Sequence, residues 1–328
     1  MDAPTILNAI VNMARTQMES QSETGFFLLS PSRWIGWTSK EKMKNKKQNR
    51  IEKGLYWDRA LSLVEGCDPI SEGCDNCWST TQTHMRSRQA NQKMIDRYAG
   101  LVNTFGGFNG RIRLMWDDIK KPKSVKKPTT WAVWNDLFHK DVPLKFQFKF
   151  FDMALKTPWH TYIVCTKRAA KMKNRVDRIY ALLEHSYPEH TIPLPNVILM
   201  VTGENQEMVD SRVPFLFKTQ AAVRGVSIEP MLGPVDLSHY FSNFFIDDND
   251  DEYATYKPGL DWVIIGEESG PKARKIEKRY IFDLLTQCID DDPDNDVPVF
   301  LKQMWVNGKL KKMPVFAGRK WDQLPNLK

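Results

Sequence analysis

From residue 60 onward, short β-rich runs alternate with stretches whose apolar residues recur at helical spacing. That rhythm confines the chain to a parallel sheet with crossover helices, because parallel strands need long connections rather than tight turns. Residues 60–64, 131–134, 162–165, 197–201, 223–227, 262–265 and 299–301 read as strands, and 112–116 as a weaker candidate followed by a Lys/Pro-rich connection. Residues 78–98 read as a helix. A second has Asp141 as a possible N-cap, Pro143 in its first turn, and Leu144, Phe148, Phe151 and Leu155 on one face. Two more carry Met172, Val176, Ile179 and Leu183, and Ile281, Leu284, Leu285 and Cys288. Six to eight such units predict an α/β fold, a (β/α) barrel of TIM type, closed or partial. Residues 1–56 read as an N-terminal extension and basic linker, 57–303 as the barrel, 238–259 as a surface insertion, and 304–328 as a tail packing on the barrel.

Polar residues gather just past the end of nearly every strand. They are Asn135 and Asp136; Thr166, Lys167 and Arg168; Glu204 and Asn205; Glu229; Gly266, Glu267 and Glu268; and Lys302 and Gln303. In a (β/α) barrel the C-terminal strand ends meet on one face, where active sites lie. The first strand leads into Cys67, Cys74 and Cys77, spaced C-x6-C-x2-C, with Gly66 and Gly73 before the first two. An odd total of five cysteines argues against a disulfide framework and leaves a metal or redox role for this cluster. Two centres compete. Zinc takes four ligands, and His84 would complete a Cys3His set. A [4Fe–4S] cluster on three thiolates keeps one iron open to a small molecule, and the glycines would let the backbone approach its sulfurs. Spacing alone leans towards zinc; a place on a rim of polar groups favours the open centre. Cys165 adjoins that rim, as a small buried residue ahead of a hydrogen donor, and Cys288 reads as core.

The net charge is +7 although 247–252 and 290–296 are acidic, so the remaining surface is more basic than the total and fits a polyanionic partner. Candidate phosphate contacts are the run from Lys40 through Lys42, Lys44, Lys46 and Lys47 to Arg50, and the cluster Lys120, Lys121, Lys123, Lys126 and Lys127. Trp37 and Trp57 are candidates to stack on bases, or simply to pack. No apolar run approaches the roughly 18 residues of a membrane span, and the start of the chain lacks the order of a signal peptide. The expected location is the cytoplasm, where thiols stay reduced.

On these residues the chain resembles the radical S-adenosylmethionine (SAM) superfamily, and more narrowly a phage-encoded radical-SAM-like family of poorly characterised function. The resemblance rests on residues 35–38, 66–77, 135–143, 166–168, 194–197, 204–206, 227–237 (SIEPMLGPVDL), 260–270 (LDWVIIGEESG), Lys302-Gln303 and 318–325 (GRKWDQLP). The first cysteine gap is longer than the superfamily's usual C-x3-C-x2-C, and Trp78 follows the last cysteine. The resemblance implies a [4Fe–4S] cluster on Cys67, Cys74 and Cys77. It also implies SAM chelated at the open iron, one-electron cleavage to methionine and a 5′-deoxyadenosyl radical, and an electron donor such as flavodoxin or ferredoxin. Asp136 with Asn135 would then meet the SAM ammonium, and Glu204 and Asn205 the ribose hydroxyls. Glu229 and Gly266, Glu267 and Glu268 would hold adenosine or substrate. Thr166, Lys167, Arg168, Lys302 and Gln303 would meet a phosphate or a polar base edge. The implied activity is an isomerase or other modifying enzyme acting on a hypermodified thymine in phage DNA, in the host cytoplasm. A repair lyase similar to spore photoproduct lyase and a non-enzymatic zinc-binding nucleic-acid protein are the alternatives.

Overall fold

A computed structural model describes residues 50–241, 244–245, 255–256, 259–289 and 296–327. Trp37, the lysines from Lys40 to Lys47 and most of the 238–259 insertion lie outside the described residues. The chain runs β1 (Arg59–Ser62), β2 (Val64–Glu65), α1 (Trp78–Arg86), α2 (Gln92–Tyr98), β3 (Arg113–Leu114), β4 (Thr130–Trp134), α3 (Leu144–Leu155), β5 (Thr161–Thr166), α4 (Ala169–Ser186), β6 (Val197–Thr202), α5 (Gln206–Phe217) and β7 (Val223–Met231). It continues through β8 (Phe244–Phe245), β9 (Thr255–Tyr256), β10 (Trp262–Glu267), α6 (Lys278–Gln287), β11 (Val299–Val306) and β12 (Lys309–Lys312). Among the described residues no helix is long and apolar enough to cross a membrane.

Eight strands form one sheet in the order β1-β4-β5-β6-β7-β10-β11-β12. All neighbours are parallel except β11 and β12. The sheet curls into a half-barrel flanked by helices. Both faces are covered, and the period of two along each strand shows how. Tyr162 and Val164, Val197, Leu199 and Val201, Val263 and Ile265, and Val299 and Leu301 join the large core on the helix side. Their neighbours Ile163, Ile198, Met200, Trp262, Ile264 and Phe300 form a second cluster on the inner face, closed by Met313. A parallel sheet buried on both faces needs near-continuous apolar strands, which is why these runs stood out in the sequence. On α4, Met172, Val176, Ile179 and Leu183 are fully buried, as their spacing predicts. On α3 Phe146, Gln147, Phe150, Phe151 and Ala154 are fully buried and Leu155 is buried too, while Leu144 and Phe148 pack only partly.

Four expectations change. The N-cap of α3 is Pro143 itself, rather than Asp141 with Pro143 in the first turn. The long helix over 78–98 is two helices, broken before Asn91, whose side chain accepts from the Lys93 N–H to cap the second. Residues 113–114 pair antiparallel with β2, outside the main sheet. The tail contributes a strand: β11 runs on to Val306, turns at Asn307 and Gly308, and returns as β12. Beyond it Trp321 is buried, and its carbonyl accepts from the Leu301 N–H at 2.8 Å.

Candidate metal centre and its cavity

The inner-face cluster floors a cavity of about 560 Å³ at the C-terminal ends of the strands. Ala132, Cys165, Thr202, Ser227, Glu229 and Lys302 line it from five different strands, so the polar strand ends do converge. Cys67, Cys74 and Cys77 line the same cavity, each partly exposed.

The cysteine loop leaves β2 through Gly66, whose φ is +83°. A Cβ there would stand 2.2 Å from the Arg111 carbonyl oxygen, so only glycine fits. Residues Glu72–Cys74 form a 3-10 turn, and Cys77 is the N-cap of α1. Gly73 has a different reason from the expected approach to a cluster. A Cβ would lie 2.5 Å from Lys167 Nζ and 2.9 Å from the Glu204 carboxylate, so the missing side chain lets that ion pair pass beneath the loop.

Strand ends clasp this loop from several sides. After β5, Lys167 Nζ donates to Glu204 Oε1 at 3.1 Å and Ser71 Oγ at 3.2 Å, and stands 3.7 Å from Cys74 Sγ. Arg168 pairs with Asp136, donates to the Asp68 carbonyl at 2.9 Å, and stands 4.0 Å from Cys67 Sγ. After β10, Glu268 accepts from Arg274 at 2.6 and 3.0 Å and from Asn76 Nδ2 at 3.0 Å. Arg274 in turn donates to the Glu72 carbonyl at 2.9 Å. Asn205, the N-cap of α5, donates to Glu72 Oε1 at 2.6 Å. Asn135, held at φ +60°, donates to the Val64 carbonyl at 2.6 Å and accepts from Ser79 Oγ, tying β2 to α1 across the loop.

The electrostatics follow from these partners. Burial pushes the Cys67 thiol up to about 11, with Asp136 adding and Arg168 opposing. Burial also raises Cys77, against the N–H groups of Ser79 and Thr80. Burial would raise Glu204, yet Lys167, the Ser71 hydroxyl and Arg212 hold it below the usual carboxylate range. Glu268 likewise ends low because Arg274 and Asn76 outweigh its burial. Glu267 has no ion pair among the described residues; burial raises it against the Trp305 N–H.

Of the expected cofactor and substrate residues, Asn135, Asp136, Thr166, Lys167, Arg168, Glu229, Glu267, Glu268, Lys302 and Gln303 line the cavity. Glu204, Asn205 and Gly266 do not. Glu204 is fully buried between Lys167 and Arg212, and Asn205 supports the cysteine turn from outside. Gly266 sits at a register shift of β10, where a Cβ would lie 3.2 Å from the Glu229 side chain. Asp136 already accepts from Arg168, from Thr166 Oγ1 at 2.8 Å and from the Phe138 N–H at 2.9 Å. Its carboxylate meets a cation of this chain before it meets one from a ligand. His84 turns to Gly106, 3.3 Å from where a Cβ would stand, and does not line the cavity. Among the described residues no three His, Cys, Asp or Glu side chains group as for a single metal ion.

Sequence reasoning missed Lys53, Tyr56, Asn76, Arg274 and Lys312. Of these Lys53, Tyr56, Asn76 and Lys312 line the cavity, and Arg274 holds the cysteine turn. None lies at a strand end that periodicity marks, and Lys312 comes from the aperiodic tail.

No curated protein and no solved structure matches the chain. The residues that build the cysteine loop, its clasp and the cavity wall all fall within 48–325, the stretch matched by the family described as "Protein of unknown function (DUF5131)", and the chain belongs to that family.

Proposed function

We propose that the protein is a radical SAM enzyme that modifies a pyrimidine base of phage DNA, as an isomerase of a hypermodified thymine. The observation that carries this reading is the cysteine loop itself. Three thiols face one cavity, a cation stands near two of their sulfurs, and no histidine among the described residues lines that cavity. Three thiolates without a fourth protein ligand suit a [4Fe–4S] cluster with one open iron better than a closed zinc site. Cys67, Cys74 and Cys77 would hold it. When bound, such a cluster supplies the electron that splits SAM into methionine and the hydrogen-abstracting 5′-deoxyadenosyl radical. Lys167 and Arg168 offset thiolate charge at Cys74 and Cys67, and so favour the ligating form. Ile70, Trp78, Phe108 and Trp134 give the cavity apolar lining, with Ile70 and Trp78 at its exposed rim. Its volume is that of an ordinary small-molecule site. The basic chain and aromatic walls support a nucleic-acid substrate whose base leaves the stack to enter. A half-barrel sheet whose polar strand ends line this cavity accords with a partial TIM-type barrel, and the expected place of action is the cytoplasm.

Anaerobic purification tests the reading. Brown protein with about four iron and four sulfide per chain is expected, with 5′-deoxyadenosine formed from SAM and dithionite. Cys74→Ala should lose both. Colourless protein with one zinc per chain would overturn the cluster. Unchanged nucleosides, by mass spectrometry of phage DNA with and without the enzyme, would overturn DNA modification.

A further inference from the structure

At the far edge of the sheet the cavity wall is built from lysine. Lys302 on β11 and Lys312 on β12 line it, together with Lys53 from the segment before β1. Lys302 is paired with Glu229 at 2.6 Å, and its ammonium lies 5.7 Å from the centre of the Trp57 ring. Lys312 has no ion pair among the described residues; its ammonium donates to the Gln303 side-chain oxygen. Its stem passes Gly54, where a Cβ would stand 3.4 Å from Lys312 Cδ and 2.8 Å from the Lys302 carbonyl oxygen. Burial first, and then Lys302, push the Lys312 ammonium below its ordinary range, with Glu229 opposing. Lys53 is exposed at the rim, and no ion pair holds it among the described residues.

Lys302 and Lys312 thus share one carboxylate in a single wall, with Lys53 at its exposed rim. Like charges gathered in a partly dry space repel, and an anion among them relieves the repulsion. Beside them stand Tyr56 and Trp57, edge to face at 4.6 Å, both lining the cavity. An aromatic surface adjoining an anion site matches a ligand that joins a planar base to a phosphate.

We propose that Lys53, Lys302 and Lys312 form a phosphate subsite that takes the phosphate of a nucleotide unit, with its base lying in the cavity towards the cysteine loop. The proposal rests on the functional reading only in treating this cavity as the substrate cavity; phosphate binding itself needs no cluster. The phosphate belongs either to a free nucleotide or to a nucleic-acid strand.

Titration calorimetry on the full chain, purified anaerobically with its iron measured, separates these cases. The probes are thymidine, thymidine 5′-monophosphate, a short oligothymidylate and SAM. The monophosphate or the oligonucleotide is expected to bind at least about tenfold more tightly than thymidine, the range of one or two charge-assisted contacts. Preference for the monophosphate identifies a free nucleotide, and preference for the oligonucleotide a strand. Lys312→Gln should remove most of that preference while leaving thymidine and SAM affinity unchanged. Lys53→Gln, at an exposed position that folding tolerates, should weaken phosphate binding about two- to fivefold. Equal affinity for thymidine and both phosphorylated probes would overturn the subsite. So would a Lys312→Gln loss that falls equally on SAM, or a Lys53→Gln variant that binds phosphate as the parent does. A phosphate preference in protein without iron would keep the subsite and sink the cluster, so the two readings fail separately.

Discussion

Lys167 and Arg168 are adjacent in sequence, and each spans from a cysteine sulfur to a carboxylate. Lys167 lies between Cys74 and Glu204, and Arg168 between Cys67 and Asp136. The two carboxylates differ. Glu204 is wholly buried, outside the cavity, and paired a second time with Arg212 at 2.7 Å. Asp136 lines the cavity and pairs with one cation among the described residues, and it also accepts from a hydroxyl and an N–H. One pair is a strut beneath the 3-10 turn. The other belongs to the cavity wall, where a ligand can replace what the chain supplies. Similar chemistry at successive positions thus gives one support and one candidate contact, and the difference lies in what else surrounds each carboxylate.

Removing each carboxylate tests that division. Glu204→Gln leaves Lys167 and Arg212 facing each other in a buried space. A loss of about 3–5 kcal/mol in urea unfolding is expected, the usual cost of breaking a buried ion pair from one side. Asp136→Asn leaves Arg168 bordering the cavity, where water can reach it and the Asp68 carbonyl still accepts from it. A smaller loss of about 1–3 kcal/mol is expected. If the two variants unfold at the same urea concentration, the distinction between strut and wall is wrong.

The half-barrel and the cysteine loop were legible because each leaves a local mark. Strands buried on both faces are apolar throughout, and three close cysteines stand out in a reduced chain. Convergence of the strand ends followed from topology. The side-chain partners were not legible. Nothing in the run Glu204-Asn205 shows that both residues turn away from the cavity to hold Ser71, Lys167 and Glu72. Arg274 reaches Glu72 across 202 positions, and no periodicity encodes a contact of that separation. Lys312 depends on the chain folding back after β11 through Asn307 and Gly308. That turn has clear local chemistry, a positive-φ pair in a two-residue hairpin. It was missed because the tail's strand alternates weakly at a sheet edge.

The smallest effect separates burial from pairing. Glu204 and Glu267 are both almost inaccessible, yet their carboxyls shift in opposite directions, because Glu204 has two cations and Glu267 has no ion pair among the described residues. Glu204 lies below its unfolded value. Its contribution is therefore present above that value and is lost as pH falls through the lower, folded one. Glu267 lies above its unfolded value, so its charge subtracts stability at neutral pH, and the subtraction vanishes as pH falls from the folded value to the unfolded one. Glu267→Gln keeps an oxygen for the Trp305 N–H and removes only the charge. It should stabilise the protein by less than about 1 kcal/mol at neutral pH, and the gain should disappear in acid. Further into acid, below the unfolded carboxylate value, the penalty of Glu204→Gln should shrink in turn. Unfolding curves of both variants and the parent, taken from neutral to acid pH, read the two trends together. A Glu267→Gln variant that loses stability at neutral pH would mean that its carboxylate is held by more than the Trp305 N–H. The contrast between a paired and an unpaired buried carboxylate would then fail.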